Sequence, residues 1–262
     1  MRLSASSCYE IAHVVVLART PSTSSPRLYV QDQQGGDGSA MVVKCSATSP
    51  HPCPAATAAK LPQILDGAVV TLRGYYHRSS SNRFEELYLE DIVDEGVLAA
   101  GPAPATLHVA DISRDAREPT KWFQIVTVDV PLADPLVMYD FSPPEMALAP
   151  PDGGCPTFEG FEVIPRSAGD SAPAGCAVTV NPQARTGPDR RRIVIGRQFF
   201  STFWATTDCA CWATSRQHLL DPSSSLAGSI TGILTFEMNA NAPGGFQVFE
   251  PLFRASFPIS GG

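Results

Sequence analysis

Charge is scarce in this 262-residue sequence. Asp, Glu, Lys and Arg make up 17% of it, below the quarter or so usual in soluble domains. Lysine is scarcer still: Lys44, Lys60 and Lys121 are the only three among nineteen basic residues. The net charge of −7 lacks the basic excess that displaces counterions from nucleic acid. This argues against non-specific binding carried by the whole chain and leaves room for a local basic stripe. No run of eighteen apolar residues occurs, so no transmembrane helix is expected. The motifs G-x-S-x-G and H-E-x-x-H and the phosphate-binding loop are all missing. The five histidines, at 13, 51, 77, 108 and 218, form no recognisable catalytic set. Paired carboxylates occur at Glu85-Glu86, Glu90-Asp91 and Asp94-Glu95. Adjacent strand residues point to opposite faces, so these read as exposed edges and not as an acid/base pair. No enzyme activity and no cofactor or metal are expected.

Proline (24) and glycine (20) are plentiful, and 44% of residues are hydrophobic. That suits many short strands joined by turns around a real core. Strand candidates in the first half are Ile11–Ala18, Arg27–Gln31, Ala40–Cys45, Gly67–Tyr76 and Phe84–Val93. An Ala-rich segment, 54–65, offers a short helix, with Pro54 near its first turn and Pro62 limiting it. The stretch "DQQGGDGS" (32–39) could be read as a cation or phosphate loop. Asp32 and Asp37 alone do not supply regularly spaced oxygen ligands, and no glutamate follows before residue 85. A strand follows, not the helix that a phosphate loop opens. A turn using Gly35, Gly36 and Gly38 for positive φ is the simpler reading.

The order strand, strand, strand, helix, strand, strand is that of an OB-fold, a five-stranded Greek-key barrel. The segment "GVLAAGPAPAT" (96–106) reads as a linker. Beyond it the plan repeats with longer loops: Phe123–Val130, Leu136–Phe141, Gly160–Ile164, Arg192–Ile195, a short helix at 197–204, then 228–238 and 246–257. Gly74 and Gly232 sit inside corresponding strands, and Phe84 and Phe246 lead the next ones. The predicted fold is all-β: two OB-like barrels in tandem with few short helices. The first spans 1–95, a linker and entry segment spans 96–120, and the second barrel spans 121–262.

Leu28-Tyr29-Val30-Gln31-Asp32, the run Asp66–Gly74 and Glu86-Leu87 resemble motifs of OB-fold domains in secreted bacterial nucleases and in bacterial cell-envelope proteins, including lipoproteins. Arg27 stands where that family usually has glycine, and aspartate and glycine are swapped at 66–67. The resemblance covers 11–93 well and 122–257 loosely. It implies a β-barrel and an exported protein, periplasmic, outer-membrane-attached or extracellular. It carries over no catalytic residue, because the chemistry of those nucleases sits in a separate metallo-domain.

Seven cysteines point the same way, since most lie in Pro/Gly/Ser-rich loops where disulfides shorten long excursions. Cys45 and Cys53 are expected to pair. Zinc held by Cys45, His51 and Cys53 is the alternative, but the spacing is unusual for it. Cys155 and Cys176 either pair with each other or cross to Cys209 and Cys211. In "DCACW" (208–212) those last two could instead exchange thiols, although redox pairs prefer C-x-x-C. Cys8 is left over. The N-terminus has no secretory layout, so a leader is expected upstream of Met1.

Tyr29, Tyr76 and Tyr88 are the candidate ligand-stacking residues of the first barrel. Arg191 and Arg192, in the dense basic run "PDRRRIVIGR" (188–197), are candidate phosphate contacts. The expected role is a non-catalytic exported binding or structural protein, its partner an oligosaccharide, a protein or single-stranded nucleic acid. The alternatives are an accessory nucleic-acid-binding module of a secreted nuclease system and a thiol-exchange enzyme.

Overall fold

The structure is a computed structural model. It describes residues 7–20, 25–48, 50–78, 85–113, 116, 119–140, 147–148, 157–158, 160–168, 193–196, 225–239, 242–252 and 259–260. The described chain is predominantly β and divides into two compact units. The first holds 1–105 and 119–125, the second 106–118 and 126–262.

In the first unit, β1 (Cys8–Arg19), β2 (Arg27–Asp32), β3 (Ala40–Lys44), β4 (Ala68–Arg78) and β5 (Glu85–Leu98) close a barrel in the order β1-β2-β3-β5-β4. The single described helix, α1 (Ala55–Lys60), and a 3-10 turn at Leu61–Gln63 bridge β3 and β4. Pro54 caps α1 with an extended backbone, and Pro62 sits in the 3-10 turn. Alternation puts Val14, Val16, Leu28, Val30, Val43, Val70, Leu72, Leu87, Leu89 and Ile92 into one core, with Leu61 and Ile64 plugging it. All pairs are antiparallel except β3 with β5.

Of the register slips in the barrel, two fall at Gly74 and His13. Between Arg73 and Gly74 the β4–β5 register slips. A Cβ on Gly74 would run into the carbonyl of Tyr88, so the strands approach there only because the side chain is absent. Between Ile11 and Val14 the β1–β4 register also slips, and His13 adopts φ 60°. Its ring Nδ1 lies 2.9 Å from Glu95 Oε2, and its carbonyl accepts from Gln33 Nε2 at 2.9 Å.

The stretch 32–39 is a turn. Asp32 accepts from Gln34 N with its side chain (2.8 Å) and from Gly35 N with its carbonyl (2.9 Å). Gly35, Gly36 and Gly38 have φ of 69°, 102° and 70°. Pro119–Ile125 returns to lie along this turn and β2. Gly38 N donates to Thr120 O (2.7 Å), Lys121 pairs with Asp37, and Ile125 N donates to Gln31 Oε1 (3.1 Å).

The second unit contains β6 (Ala105–Leu107, its first residue counted with the first unit), β7 (Ile125–Val130, likewise), β8 (Leu136–Asp140), β9 (Ala147–Leu148), β10 (Thr157–Phe158), β11 (Gly160–Pro165), β12 (Ile193–Gly196), β13 (Ser225–Leu226), β14 (Gly228–Asn239), β15 (Ala242–Pro251) and β16 (Ile259–Ser260). Strands β9 and β10 pair alone, and the others form a nine-stranded sheet ordered β16-β13-β8-β11-β12-β15-β14-β7-β6. The sequence pattern predicts a second five-stranded barrel here. Among the described residues, four further strands flank the run β11-β12-β15-β14-β7, and no closing pair joins β7 to β11. Within that run the logic of the first unit recurs. β12 lies parallel to β15, as β3 does to β5, and β14 is antiparallel to β15. A Cβ on Gly232 would meet the carbonyl of Glu250, the same obstruction seen at Gly74. β12 is buried at every position, which fits its unbroken Ile-Val-Ile run between two neighbours. The helix expected at 197–204 lies outside the described residues.

Candidate functional site

The aromatic residues that the sequence nominates for stacking do not form an open platform. Tyr29 is 1% exposed and Tyr76 and Tyr88 are each 6% exposed. Tyr29 alternates outward from the core residues Leu28 and Val30, but Phe123 covers it, the ring centroids 6.3 Å apart. Phe123 reaches it from a left-handed backbone conformation, φ 67°. Tyr76 pairs with the core residue Leu87 and continues the inward alternation of Val70, Leu72 and Gly74 along β4, while the extra residue at the slip, Glu90, lies on β5. Period-2 counting along β4 puts Tyr76 inside; it is β5 whose alternation changes phase, between Leu89 and Ile92.

Tyr88 is different. It sits on the outer wall, opposite Tyr75 on β4 and Lys44 on β3. Four rings gather there. His51 stacks on Tyr75 with centroids 4.2 Å apart and planes 8° from parallel. His77 tilts against Tyr88 at 4.9 Å and 39°, and His51 lies 6.3 Å from Tyr88. Lys44 Nζ is 6.0 Å from the Tyr88 ring centre, at the outer edge of cation–π range. The rings are held by covalent and backbone geometry. Cys45 and Cys53 are joined by a disulfide, with Cys45 buried in the barrel core. Cys45 N donates to Pro26 O and Cys53 N to Ser46 O, both at 3.0 Å. The loop carrying His51 is therefore tied down at both ends. With both sulfurs in that bond, Cys45 and Cys53 offer no thiolate to zinc. No group of three or more His, Cys, Asp or Glu among the described residues could hold a metal ion.

Glu86 lies two residues before Tyr88 on the same wall, opposite His77 on β4 and Val42 on β3. It is 3% exposed, and its Oε1 and the Nδ1 of His77 are both buried without a hydrogen-bond partner. Burial, and then the nearby Glu86 charge, push the Tyr88 hydroxyl above its ordinary pKa, so the phenol stays neutral at neutral pH. The wall thus offers two imidazoles, two phenol rings, a lysine at the edge and a carboxylate whose Oε1 has no donor among the described residues. It has no activated nucleophile. Rings and polar edges of this kind can stack on a ligand or hydrogen-bond to it.

Sequence reasoning read Glu86 as an exposed edge residue, whereas it is buried, and missed both its pairing with His77 and the covering role of Phe123. A strand-by-strand pairing of "YYH" (75–77) with "EELY" (85–88) would have brought the first two together. Nothing local signals that 119–125 doubles back onto β2. Cys8 is an exposed free thiol that donates to Glu90 Oε2 (3.2 Å) and accepts from Arg73 Nε (3.4 Å). Arg191, Arg192, Cys155, Cys176, Cys209 and Cys211 lie outside the described residues.

No family model matches this chain, and a search of curated proteins finds no match.

Proposed function

We propose that this protein is a non-catalytic, exported binding module whose first unit is an OB-like barrel, and that the outer wall of β3, β5 and β4 is its ligand face. The observation that carries the reading is the ring cluster His51, Tyr75, His77 and Tyr88 on a closed barrel, pinned by a disulfide loop. The strand order β1-β2-β3-β5-β4 with α1 between β3 and β4 supports the OB assignment. The parallel β12–β15 pair and Gly232 support a related plan in the second unit. Export rests on the disulfide and on the resemblance to cell-envelope proteins. No helix among the described residues is long and apolar enough to cross a membrane.

The test is a ligand screen on the intact chain by two-dimensional NMR, with oligosaccharides, short peptides and single-stranded oligonucleotides at low salt. The expected result is that one class shifts the ring signals of His51, Tyr75, His77 and Tyr88 together. Binding that leaves those four unmoved would refute the assignment of the face. Salt-sensitive retention of oligonucleotides would favour a nucleic-acid-binding role instead.

A further inference from the structure

We infer that the Glu86–His77 corner of this wall is a recognition site for a guanidinium group. The inference deepens the binding-module reading and rests on it. Glu86 and His77 face each other directly across β4 and β5, so their side chains share one face of the sheet. Glu86 Oε1 and His77 Nδ1 are both buried without a hydrogen-bond partner among the described residues. A buried polar atom with no partner is rare in folded proteins, and where one occurs it calls for an ion, a water or a ligand. An ionised carboxylate left so is costlier than a neutral group. No ion pair reaches Glu86 among the described residues; Lys44, its nearest described cation on the neighbouring strand, lies instead toward Tyr88.

The chemistry of the corner selects among ligands. An anion would meet the Glu86 charge. A metal ion would find one carboxylate oxygen and one imidazole nitrogen, fewer ligands than a protein metal site needs. A guanidinium fits both orphan atoms. It is planar and rich in donors, so one N–H can reach Glu86 Oε1 while another meets His77 Nδ1 acting as acceptor in the neutral ring. Its delocalised charge is also suited to aromatic faces such as those of Tyr88 and His77, which tilt against each other here. Tyr75 and His77, at the edge of the corner, are half-buried.

The test uses the intact chain and three probes: agmatine, a capped Gly-Arg-Gly peptide, and the same peptide with citrulline, a neutral analogue of similar shape. Agmatine and the arginine peptide should shift the ring signals of His77 and Tyr88 and raise the melting temperature. The citrulline peptide should bind at least about tenfold more weakly. Tighter binding of the peptide than of agmatine marks a protein partner as the source of the group; the reverse marks a free small molecule. Glu86→Gln should abolish the thermal shift while leaving the ligand-free protein at least as stable, because it removes an unpaired buried charge. Three results would each overturn the inference: no shift of His77 and Tyr88 up to about 10 mM agmatine, equal binding of the citrulline peptide, or a ligand-free Glu86→Gln protein with a clearly lower melting temperature. A sugar or oligonucleotide that moves these rings where agmatine does not would overturn the guanidinium assignment and leave the binding module standing. If no ligand class moves them, both readings fall.

Discussion

Tyr29→Ala separates a ligand platform from a covered strand. The ring is 1% exposed and lies beneath Phe123, so truncation removes buried apolar surface and leaves a void between β2 and the returning segment. Aromatic-to-alanine changes at such sites cost about 3–5 kcal/mol. The cost falls on the first unit, so a probe that reports on that unit is needed. Hydrogen exchange of the β2 and β3 amides, followed by mass spectrometry, serves this purpose. With each 1.4 kcal/mol worth a factor of ten, protection should fall by about a hundredfold to a few thousandfold. Leu132→Ala, at an 84% exposed position, is the control and should change stability by less than about 0.5 kcal/mol. A Tyr29→Ala protein whose β2 and β3 amides keep wild-type protection, but which loses a ligand, would refute the covered-strand reasoning.

Three further outcomes follow from the first unit. Replacing Cys45 and Cys53 by serine opens a loop with a sequence separation of 8; the chain-entropy relation puts the loss at about 2–3 kcal/mol, readable in urea unfolding, and the His51–Tyr75 ring contacts should weaken with it. Gly74→Ala drives a methyl into the Tyr88 carbonyl, a backbone group that cannot rotate away, and should cost at least about 1–3 kcal/mol; a neutral result would show that the β4–β5 slip lies elsewhere. The Glu95 carboxyl is held below its ordinary pKa, first by its bond with His13 and then by that from Thr71. Its stabilising contribution is therefore present above the usual glutamate range and disappears as pH falls through the lowered value. NMR titration should find the midpoint below that range, and His13→Ala should move it upward.

Strand positions in the first unit were legible because period-2 alternation and glycine turns act locally. Ile11–Ala18, Arg27–Gln31 and Ala40–Cys45 each fall on a strand with little change of boundary. β5 runs on to Leu98, beyond the Val93 expected, since "DEGVL" carries no breaker strong enough to stop pairing with Ala68. The Cys45–Cys53 bond was also legible, being a short-range matter of spacing. The site was not. Its members come from β3, the disulfide loop, β4 and β5, and the extra β5 residue at the slip, Glu90, decides which residues of Glu86–Tyr88 turn outward. That choice depends on an interstrand approach that no local window contains.

The return of Pro119–Ile125 to the first unit has a consequence for synthesis. A chain leaving the ribosome completes β1 to β5 by Leu98, yet Phe123 and Lys121 are still to come. Thr106–Glu118, which belongs to the other unit, must emerge between them. Until Ile125 is out, Tyr29 has no cover and Gln31 Oε1 has no amide to accept from. At roughly 5–20 residues per second, that interval lasts about one to a few seconds. During it the Tyr29 ring on the outward face of β2 is open to any other nascent segment or chaperone, and a fragment ending at Ala105 would keep that face open permanently.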